Sequence, residues 1–155
     1  MPVITSAGTR IYIGTTAANP VGDTYTEIGE IVTGPEFGRE YQIIEHIPLS
    51  DRGVNKLKGS FDEGSPQLGI GRDLTDAGQD AARAALEEDE AYNFKIEFND
   101  LPAGAAMSDT PTTTYFKALV SQFTTNVGDA NSIVAGTLTL AIISGSVQDV
   151  ELSVA

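Results

Sequence analysis

The chain has 155 residues, with nine Lys or Arg against 22 Asp or Glu, a net charge of −13 and no cysteine. A surface this acidic repels nucleic-acid phosphates and anionic lipid, which argues against binding to a DNA or RNA backbone or to a membrane surface. The missing cysteine excludes disulfides, zinc–thiolate sites and thiol nucleophiles. The length is that of one folded domain, and we expect a single domain over residues 1–155, with flexible arms at residues 1–8 and 147–155.

The acidity has two interpretations. It is either the ordinary charge of a soluble protein, or it lines a surface that a polyanion passes without adhering. The start of the chain, Met1–Gly8, lacks the basic and apolar regions of a secretory signal. The longest mostly apolar stretch, Ile133–Ile143, is far shorter than the ~20 residues of a membrane-spanning helix. These features predict a soluble product made in the cytosol, with no membrane contact.

The first half of the chain is predicted to form strands. Runs of β-branched and aromatic residues, separated by turn residues, occur at Arg10–Gly14, Tyr25–Val32 and Tyr41–Ile47. Two weaker runs follow: Asn55–Phe61, in which polar and apolar residues alternate less cleanly, and the short, glycine-containing Gln67–Arg72. Short alternating runs are typical of an antiparallel sheet.

One segment breaks the β pattern and predicts a helix. Thr75 or Asp76 is the predicted N-cap, and acidic residues near this end suit the positive end of the helix dipole. A thin apolar stripe at three- and four-residue spacings is expected to face the sheet: Leu74, Ala77, Ala81, Ala85 and Leu86. The acidic run Glu87–Glu90 ends the segment and is interpreted as a solvated corner.

Three longer strands are predicted in the second half. Tyr92–Phe98 alternates apolar with polar residues, and its polar residues are expected to face solvent. After the loop Leu101–Thr113, the segments Tyr115–Asn126 and Ile133–Ser144 are predicted to pair as a hairpin. The last strand is apolar on both faces, which indicates either a central position in a sandwich or burial by a partner chain.

The chain shows no complete signature of an enzyme or of a metal site. Gly69–Leu74 begins like a dinucleotide-binding fingerprint but has leucine in place of the third glycine. His46 is the only histidine and lies in a predicted strand, where a structural role fits better than a Ser-His-Asp site. Asp62–Gly64 lacks the alternating acids of an EF-hand calcium loop. We therefore expect no catalytic residue, no metal, no cofactor and no enzymatic activity.

The order of the segments is itself informative. From about Tyr25 to Ser144 it resembles that of the tail tube proteins of long-tailed, non-contractile bacteriophages. Each piece alone is a weak motif of apolar alternation and turn residues, so the order and spacing carry the resemblance. The matching pieces are, in chain order, Tyr25–Ile31, Gly34–Gly38, Ile43–His46, Pro48–Lys56, Lys58–Gly64, Asp76–Leu86, Tyr92–Ile96, Tyr115–Val120 and Val134–Ile142.

The resemblance implies a mainly β fold with one flanking α-helix, an antiparallel β-sandwich or partial barrel of the tail-tube type. It implies a structural subunit of the virion tail, assembled in the host cytoplasm. Six copies would form a ring, and rings would stack into a tube through which DNA passes without specific binding. The implied partners are other copies of the chain, together with tape-measure and tail-terminator or tip proteins.

Two sets of site residues are expected from the resemblance. In the family a long loop and the terminal arms bridge successive rings, and the matching loop here is Ile47, Pro48, Leu49, Ser50, Asp51, Arg52, Gly53, Val54, Asn55 and Lys56. The acids expected to face the lumen, from strand alternation, are Glu27, Glu30 and Glu97. An acidic lumen wall would keep DNA from adhering.

Two other interpretations stay open. One is a tube protein of a contractile tail or of a secretion system, which sequence does not separate from a non-contractile tail. The other is a monomeric β-sandwich binding module of the adhesin or carbohydrate-binding type. The missing secretion signal and the few aromatic residues argue against this second alternative.

Overall fold

The computed structural model describes residues 3–153. Residues 1, 2, 154 and 155, at the outer ends of the two predicted arms, lie outside this part. The strands are β1 (Arg10–Ile13), β2 (Thr26–Ile28), β3 (Ile31–Thr33), β4 (Glu40–His46), β5 (Asn55–Asp62), β6 (Gln67–Gly71), β7 (Tyr92–Glu97), β8 (Thr113–Asn126), β9 (Ala135–Ile142) and β10 (Gln148–Val150), and helix α1 (Ala77–Leu86) lies between β6 and β7. The prediction of a mainly β chain with one flanking helix is confirmed.

Eight of the strands form one antiparallel sheet that curls on itself. The order along the sheet is β2, β1, β7, β8, β9, β6, β3, and β10 pairs with the beginning of β8. The strands at the two ends of this order, β2 and β3, are consecutive in the chain and are separated only by Gly29 and Glu30. The chain thus joins the two ends of the sheet into a partial barrel. The run Tyr25–Val32, predicted as one strand, is therefore two strands that pair with β1 and β6.

Glu30 marks the break between β2 and β3. Its φ of 59° lies in the left-handed region, which is uncommon for a residue other than glycine. The Gly29 N–H donates to Asp76 Oδ2 at 3.1 Å, and the Glu30 carbonyl accepts from the Gly71 N–H at 2.7 Å. These long-range bonds direct the chain from its pairing with β1 to its pairing with β6. The apolar alternation of the sequence does not reveal this change of partner.

The core fills the inside of the curled sheet. The rings of Phe94 and Phe116 stack there with their centroids 5.6 Å apart, and both residues are fully buried. The other buried apolar residues are Ile11, Ile13, Ile28, Leu68, Ile70, Ala82, Ala85, Ile96, Ala118, Val120, Leu138, Leu140 and Ile142. Burying one Val, Leu, Ile or Phe side chain contributes roughly 1.5–3 kcal/mol, so this core is the main source of the barrel's stability.

Helix α1 begins where predicted but buries a different face. Asp76 is its N-cap, and the carboxylate accepts from the Gln79 N–H at 2.9 Å. The buried residues of the helix are Gly78, Gln79, Ala82 and Ala85. Leu74 and Ala77, which belong to the predicted stripe, are exposed. The stripe was therefore wrong at its first two positions.

Gly78 and Gln79 explain the difference. A Cβ at Gly78 would lie 2.0 Å from the carbonyl oxygen of Glu27, so the helix approaches β2 as closely as only glycine allows. Gln79 Nε2 donates to the carbonyls of Gly29 at 3.2 Å and Gly71 at 2.9 Å, and Oε1 accepts from the Asp73 N–H at 3.1 Å. Buried amides are stable only when paired, so these bonds decide which face of the helix turns inward.

The predicted hairpin near the end of the chain is confirmed as β8 and β9, which pair from Ala118 opposite Ile142 to Asn126 opposite Ala135. One face of β9 is buried in the core, and the other carries small, half-exposed residues. Strand β10 and Ser153, both in the predicted C-terminal arm, lie along β8 and beside Thr110 respectively. Within residues 3–153, no helical segment has both the length and the apolar character that crossing a membrane requires.

The loop between β1 and β2 covers the outward face of β7 and is held by Asp23. Its carboxylate accepts from the backbone N–H groups of Thr15 and Thr24 and from Asn93 Nδ2, each at 2.8 Å. Asn93 was predicted to face solvent, but the loop lies over it and it is fully buried. Burial raises the pKa of Asp23, but the hydrogen bonds to its charged form outweigh burial and lower the pKa from 3.8 to about 2.

We expect Asp23 to stabilise the fold at neutral pH and to lose this effect in acid. Because its folded pKa lies below the unfolded value, the contribution is fully present above pH 3.8 and is lost as the pH falls through about 2. Asp23→Asn should lower the free energy of unfolding by about 1–2 kcal/mol at pH 7 and by much less near pH 2. Urea unfolding at both pH values measures this, with the exposed Glu88→Gln as the matched control. An equal loss at both pH values would contradict the account.

Candidate functional site, an apolar arm and an open strand edge

Strands β4 and β5 form an antiparallel hairpin that stands apart from the barrel, and we call residues 40–62 the arm. Glu40 pairs with Asp62 at its root and His46 with Asn55 towards its tip. In the described part of the chain, neither strand pairs with the eight-stranded sheet. Nearly all residues of the two strands are exposed, so the arm projects into solvent.

The arm exposes apolar side chains on both of its faces. Ile43 on one face is 54% exposed, and Ile44 and Leu57, cross-strand partners on the other face, are 53% and 60% exposed. Ile47 and Leu49 at the tip are also exposed. An isolated two-stranded hairpin is marginally stable in water, and contiguous exposed apolar surface marks interaction sites. The arm therefore has the character of a surface that another protein surface covers.

The arm also differs from the rest of the chain in charge. Together with the adjacent Arg39 it contains four of the nine Lys and Arg and four of the 22 Asp and Glu, so it is neutral. The remaining residues carry the whole net charge of −13. A neutral, apolar arm can approach the acidic surface of a second copy without the repulsion between two acidic surfaces.

Aromatic contacts stiffen the root of the arm. The Arg39 guanidinium lies 4.1 Å from the ring centroid of Phe61, and the rings of Tyr41 and Phe61 are 5.4 Å apart. Lys58 Nζ lies 4.7 Å from the Tyr41 centroid. Exposed cation–π contacts contribute about 0.5–1 kcal/mol each. The root half of the hairpin therefore has support of its own, whereas the tip half presents exposed aliphatic side chains.

The predicted inter-ring loop lies mostly at the tip of the arm. The connection between β4 and β5 runs over residues 47–54. Asn55 and Lys56, predicted to lie in the loop, are instead the first residues of β5, where they pair with His46 and Glu45. The loop is shorter than predicted because these pairings extend the hairpin ladder beyond the turn.

A second open surface is an edge of β8. Strand β7 pairs with β8 only as far as Tyr92 opposite Ala118, whereas β9 follows the opposite edge as far as Asn126. Beyond Ala118, no strand within residues 3–153 pairs with the β7 side of β8. Helix α1 also contacts β8. The N–H and C=O groups of Leu119–Asn126 on this side are thus left without a partner strand, and they form an edge that can pair with a strand from another chain.

The three acids predicted to face a lumen do not share one environment. Glu27 and Glu97 lie on the outward face of the sheet, on either side of β1. Glu27 is 3.8 Å from Arg10 Nε, and Glu97 is 2.9 Å from Lys95 Nζ. Glu30 lies outside the strands, at the break between β2 and β3. Two of the three carboxylates are thus paired with cations of the same sheet face.

An exposed run of four acids, Glu87–Glu90, follows the end of α1. It lies at the corner before β7, as the sequence pattern predicts. Among residues 3–153, no group of three or more His, Cys, Asp or Glu is arranged to hold a metal ion. The exposed run gives this corner a strongly negative potential.

Sequence patterning missed the apolar pair Ile44 and Leu57 and the buried acid Glu63. A signal for the first was present, because Ile43 and Ile44 are adjacent and so place isoleucine on both faces of one strand. For Glu63 there was no such signal. Its carboxylate accepts from the N–H of Gly145, 82 positions away, and only the folded chain brings the two together.

No protein-family model matches this sequence, and no curated protein sequence matches it. Solved structures match it over nearly its whole length. The tail tube of SPP1 superposes with a TM-score of 0.66 at 14% identity, covering 99% of this chain and 81% of that one. The chain has the tail-tube fold.

The tail-tube fold of this chain also matches chains of two other solved assemblies. A chain of the anti-feeding prophage baseplate, solved with 6-fold symmetry, gives a TM-score of 0.68 at 16% identity over 97% of both chains. A chain of the extended sheath–tube complex of an extracellular contractile injection system, PVC, gives 0.62 at 14% identity, covering 99% of this chain and 93% of that one. The expected partial barrel of the tail-tube type is confirmed.

Proposed function

We propose that this protein is a structural subunit of a tail tube, in which stacked rings form a hollow channel for genome delivery. The observation that carries the proposal is the arm, a neutral, apolar hairpin left exposed on a chain with the tail-tube fold. The 6-fold symmetry of the anti-feeding prophage baseplate supports six copies per ring. The protein acts by assembly rather than by catalysis, and its place is the virion tail, after assembly in the host cytoplasm.

The arm bridges successive rings. Its tip, residues 47–54, and the flanking pair Ile44 and Leu57 bury their apolar surface on the body of a copy in the next ring. The arm and the rest of the subunit are different surfaces, so the contact between them is heterologous. A heterologous contact whose repetition does not return to the first copy generates an open stack. Each fully buried aliphatic side chain contributes roughly 1.5–3 kcal/mol to the contact.

The open edge of β8 closes the ring. A strand of the neighbouring copy pairs with Leu119–Asn126 and satisfies its outward N–H and C=O groups. Repeated around the ring, this pairing joins the sheets of the copies into one wall.

The wall presents acid to the DNA. Six copies at −13 each give −78 per ring, and even a few phosphate–cation contacts would hold a passing duplex strongly. Glu27, Glu30 and Glu97 are proposed to face the lumen. Because Glu27 and Glu97 pair with Arg10 and Lys95, they contribute less free charge than their number suggests. Tape-measure and tail-terminator or tip proteins are the proposed partners inside and at the ends of the tube.

A second candidate is the tube of a contractile injection system. The match to the PVC sheath–tube complex of a contractile injection system, with a TM-score of 0.62, favours it about as much as the match to the SPP1 tail tube, with 0.66, favours a tail. The arm and the open edge would act in the same way, and the outside of the tube would also contact a sheath. Copurification of a sheath subunit with the tube distinguishes the two.

Sedimentation velocity over a range of protein concentrations tests the proposal. We expect a ring of about 98 kDa, six times the 16.3 kDa of the chain, and larger polymers as the concentration rises. Deleting Asp51–Val54 at the tip should remove the larger polymers. A control variant in which Gly and Ser replace the same residues keeps the length of the loop, and so separates the effect of the residue types from the effect of loop length. A monomer at every concentration, or normal polymers from the deletion variant, would contradict the proposal.

A further inference from the structure

Glu63 is a buried acid at the junction between the arm and the barrel. It follows directly after β5 and is 4% exposed. A buried carboxylate is costly unless hydrogen bonds or an opposite charge compensate it. Its partners therefore indicate what the burial is for.

Three segments meet at this residue. Oε2 accepts from the N–H of Gly145, in the turn between β9 and β10, at 2.8 Å. Oε1 lies 3.4 Å from Arg39 Nη2, and the Glu63 carbonyl accepts from the N–H of Gly38 at 3.3 Å. Gly38 and Arg39 precede the first strand of the arm. Glu63 thus connects the chain entering the arm, the chain leaving it and a turn of the barrel.

The arm has few other attachments to the barrel. On the entering side, the ring of Phe37 packs on Phe116 with centroids 5.5 Å apart. On the leaving side, Gly64 has φ +97° and its carbonyl accepts from Ile142, so the chain is already paired with β9 from this point on. Glu63 therefore lies where the free hairpin ends and the barrel begins. Its side chain connects the two through the hydrogen bond from Gly145.

We propose that Glu63 is the positioning residue that sets the direction in which the arm leaves the barrel. Holding the arm in one direction lets it meet a neighbouring copy without first losing orientational freedom, which lowers the cost of association. Gly145, which donates to Glu63, lies between β9 and β10. The direction of the arm is therefore linked to the position of β10 on β8. The benefit for assembly rests on the tail-tube function proposed above, whereas the positioning itself does not.

The chain contains no cysteine, so two introduced cysteines can be spin-labelled without background. Leu49→Cys places one label at the exposed tip of the arm, and Val127→Cys places the other in the exposed turn between β8 and β9. Pulsed electron spin resonance on the monomer, below the concentration of assembly, gives the distribution of distances between them. We expect one narrow distribution in this labelled parent.

Glu63→Ala in the labelled parent should broaden the distribution at least about twofold. In the unlabelled chain, whose arm tip is unchanged, the same substitution should raise the concentration needed for assembly about tenfold, the effect of losing one hydrogen bond to a charged group. Glu63→Gln, nearly equal in shape, keeps the variant folded and should broaden the distribution less. The matched control is Glu45→Ala, an exposed arm acid 3.9 Å from Lys56, which should leave the distribution narrow.

A purely structural role for Glu63 would lower the melting temperature and leave the distribution narrow below it. Narrow distributions in both Glu63 variants therefore overturn the proposal. Since the distances are measured on monomers, a wild-type chain that never forms tubes would contradict the tail-tube function without affecting this result.

Discussion

Replacing both Ile44 and Leu57 with threonine is expected to prevent polymer formation at concentrations where the wild-type chain assembles, and to leave the melting temperature of the monomer nearly unchanged. The two side chains are cross-strand partners and are already more than half exposed, so the monomer loses little packing. Threonine keeps the strand preference of the hairpin. In the assembly, losing the burial of the exposed halves of two aliphatic side chains costs about 1.5–3 kcal/mol per arm, about tenfold to a hundredfold in affinity.

Pelleting by ultracentrifugation measures the polymer, and differential scanning calorimetry measures the monomer. Val21→Thr is the matched control, because Val21 is an exposed apolar residue in the loop between β1 and β2, outside the arm. Assembly of the double variant at the wild-type concentration would show that the arm's apolar face is not buried in the tube.

Gly78→Ala is expected to lower the free energy of unfolding by about 3–5 kcal/mol, against the usual preference of helices for alanine. Alanine gains about 1 kcal/mol in helix propensity. Its Cβ, however, would lie 2.0 Å from the Glu27 carbonyl oxygen and 2.6 Å from Ile28 Cα, both backbone atoms. The helix cannot move away from β2 without breaking the hydrogen bonds of Asp76 and Gln79 to Gly29. The cost of the steric clash therefore outweighs the gain in helix propensity.

Urea unfolding of Gly78→Ala beside Gly34→Ala measures the effect. A Cβ at Gly34 has no atom within 4 Å, and we expect a change within about 0.5 kcal/mol there. Equal stability of the two variants would mean that α1 does not lie as closely on β2 as the structure shows.

Much of the fold follows from local pattern. The strong alternation of Tyr92–Phe98 and of the final hairpin predicts β7, β8 and β9, because one face of each is buried in a continuous core. Asp76 is predicted as the N-cap because its short acceptor suits the first free N–H groups of a helix. These features depend on neighbours in sequence, and sequence therefore reveals them.

The remaining features depend on contacts between distant segments. The break at Glu30 needs Asp76 and Gly71, the buried face of α1 needs the carbonyl of Glu27, and the burial of Asn93 needs the loop held by Asp23. Each of these partners lies far away in the sequence from the residue it affects.

The candidate site was predictable in location but not in shape. The segment Ile47–Lys56 was singled out by its length and by its place in the family pattern. That it forms the tip of a free hairpin could not be deduced, because the same alternation would suit a strand inside a sheet. The pairing of Glu27 and Glu97 with cations likewise depends on the register of β1 with its neighbours.

Electron cryomicroscopy of the concentrated wild-type protein tests the central claim most directly. We predict hollow tubes of stacked rings with six copies each, in which the arm of one copy lies on the body of a copy in the next ring and a neighbouring strand pairs with the open edge of β8. Isolated monomers at every protein and salt concentration, with the arm uncovered, would contradict the claim. Monomers that also bind glycans on an array would favour a binding module instead.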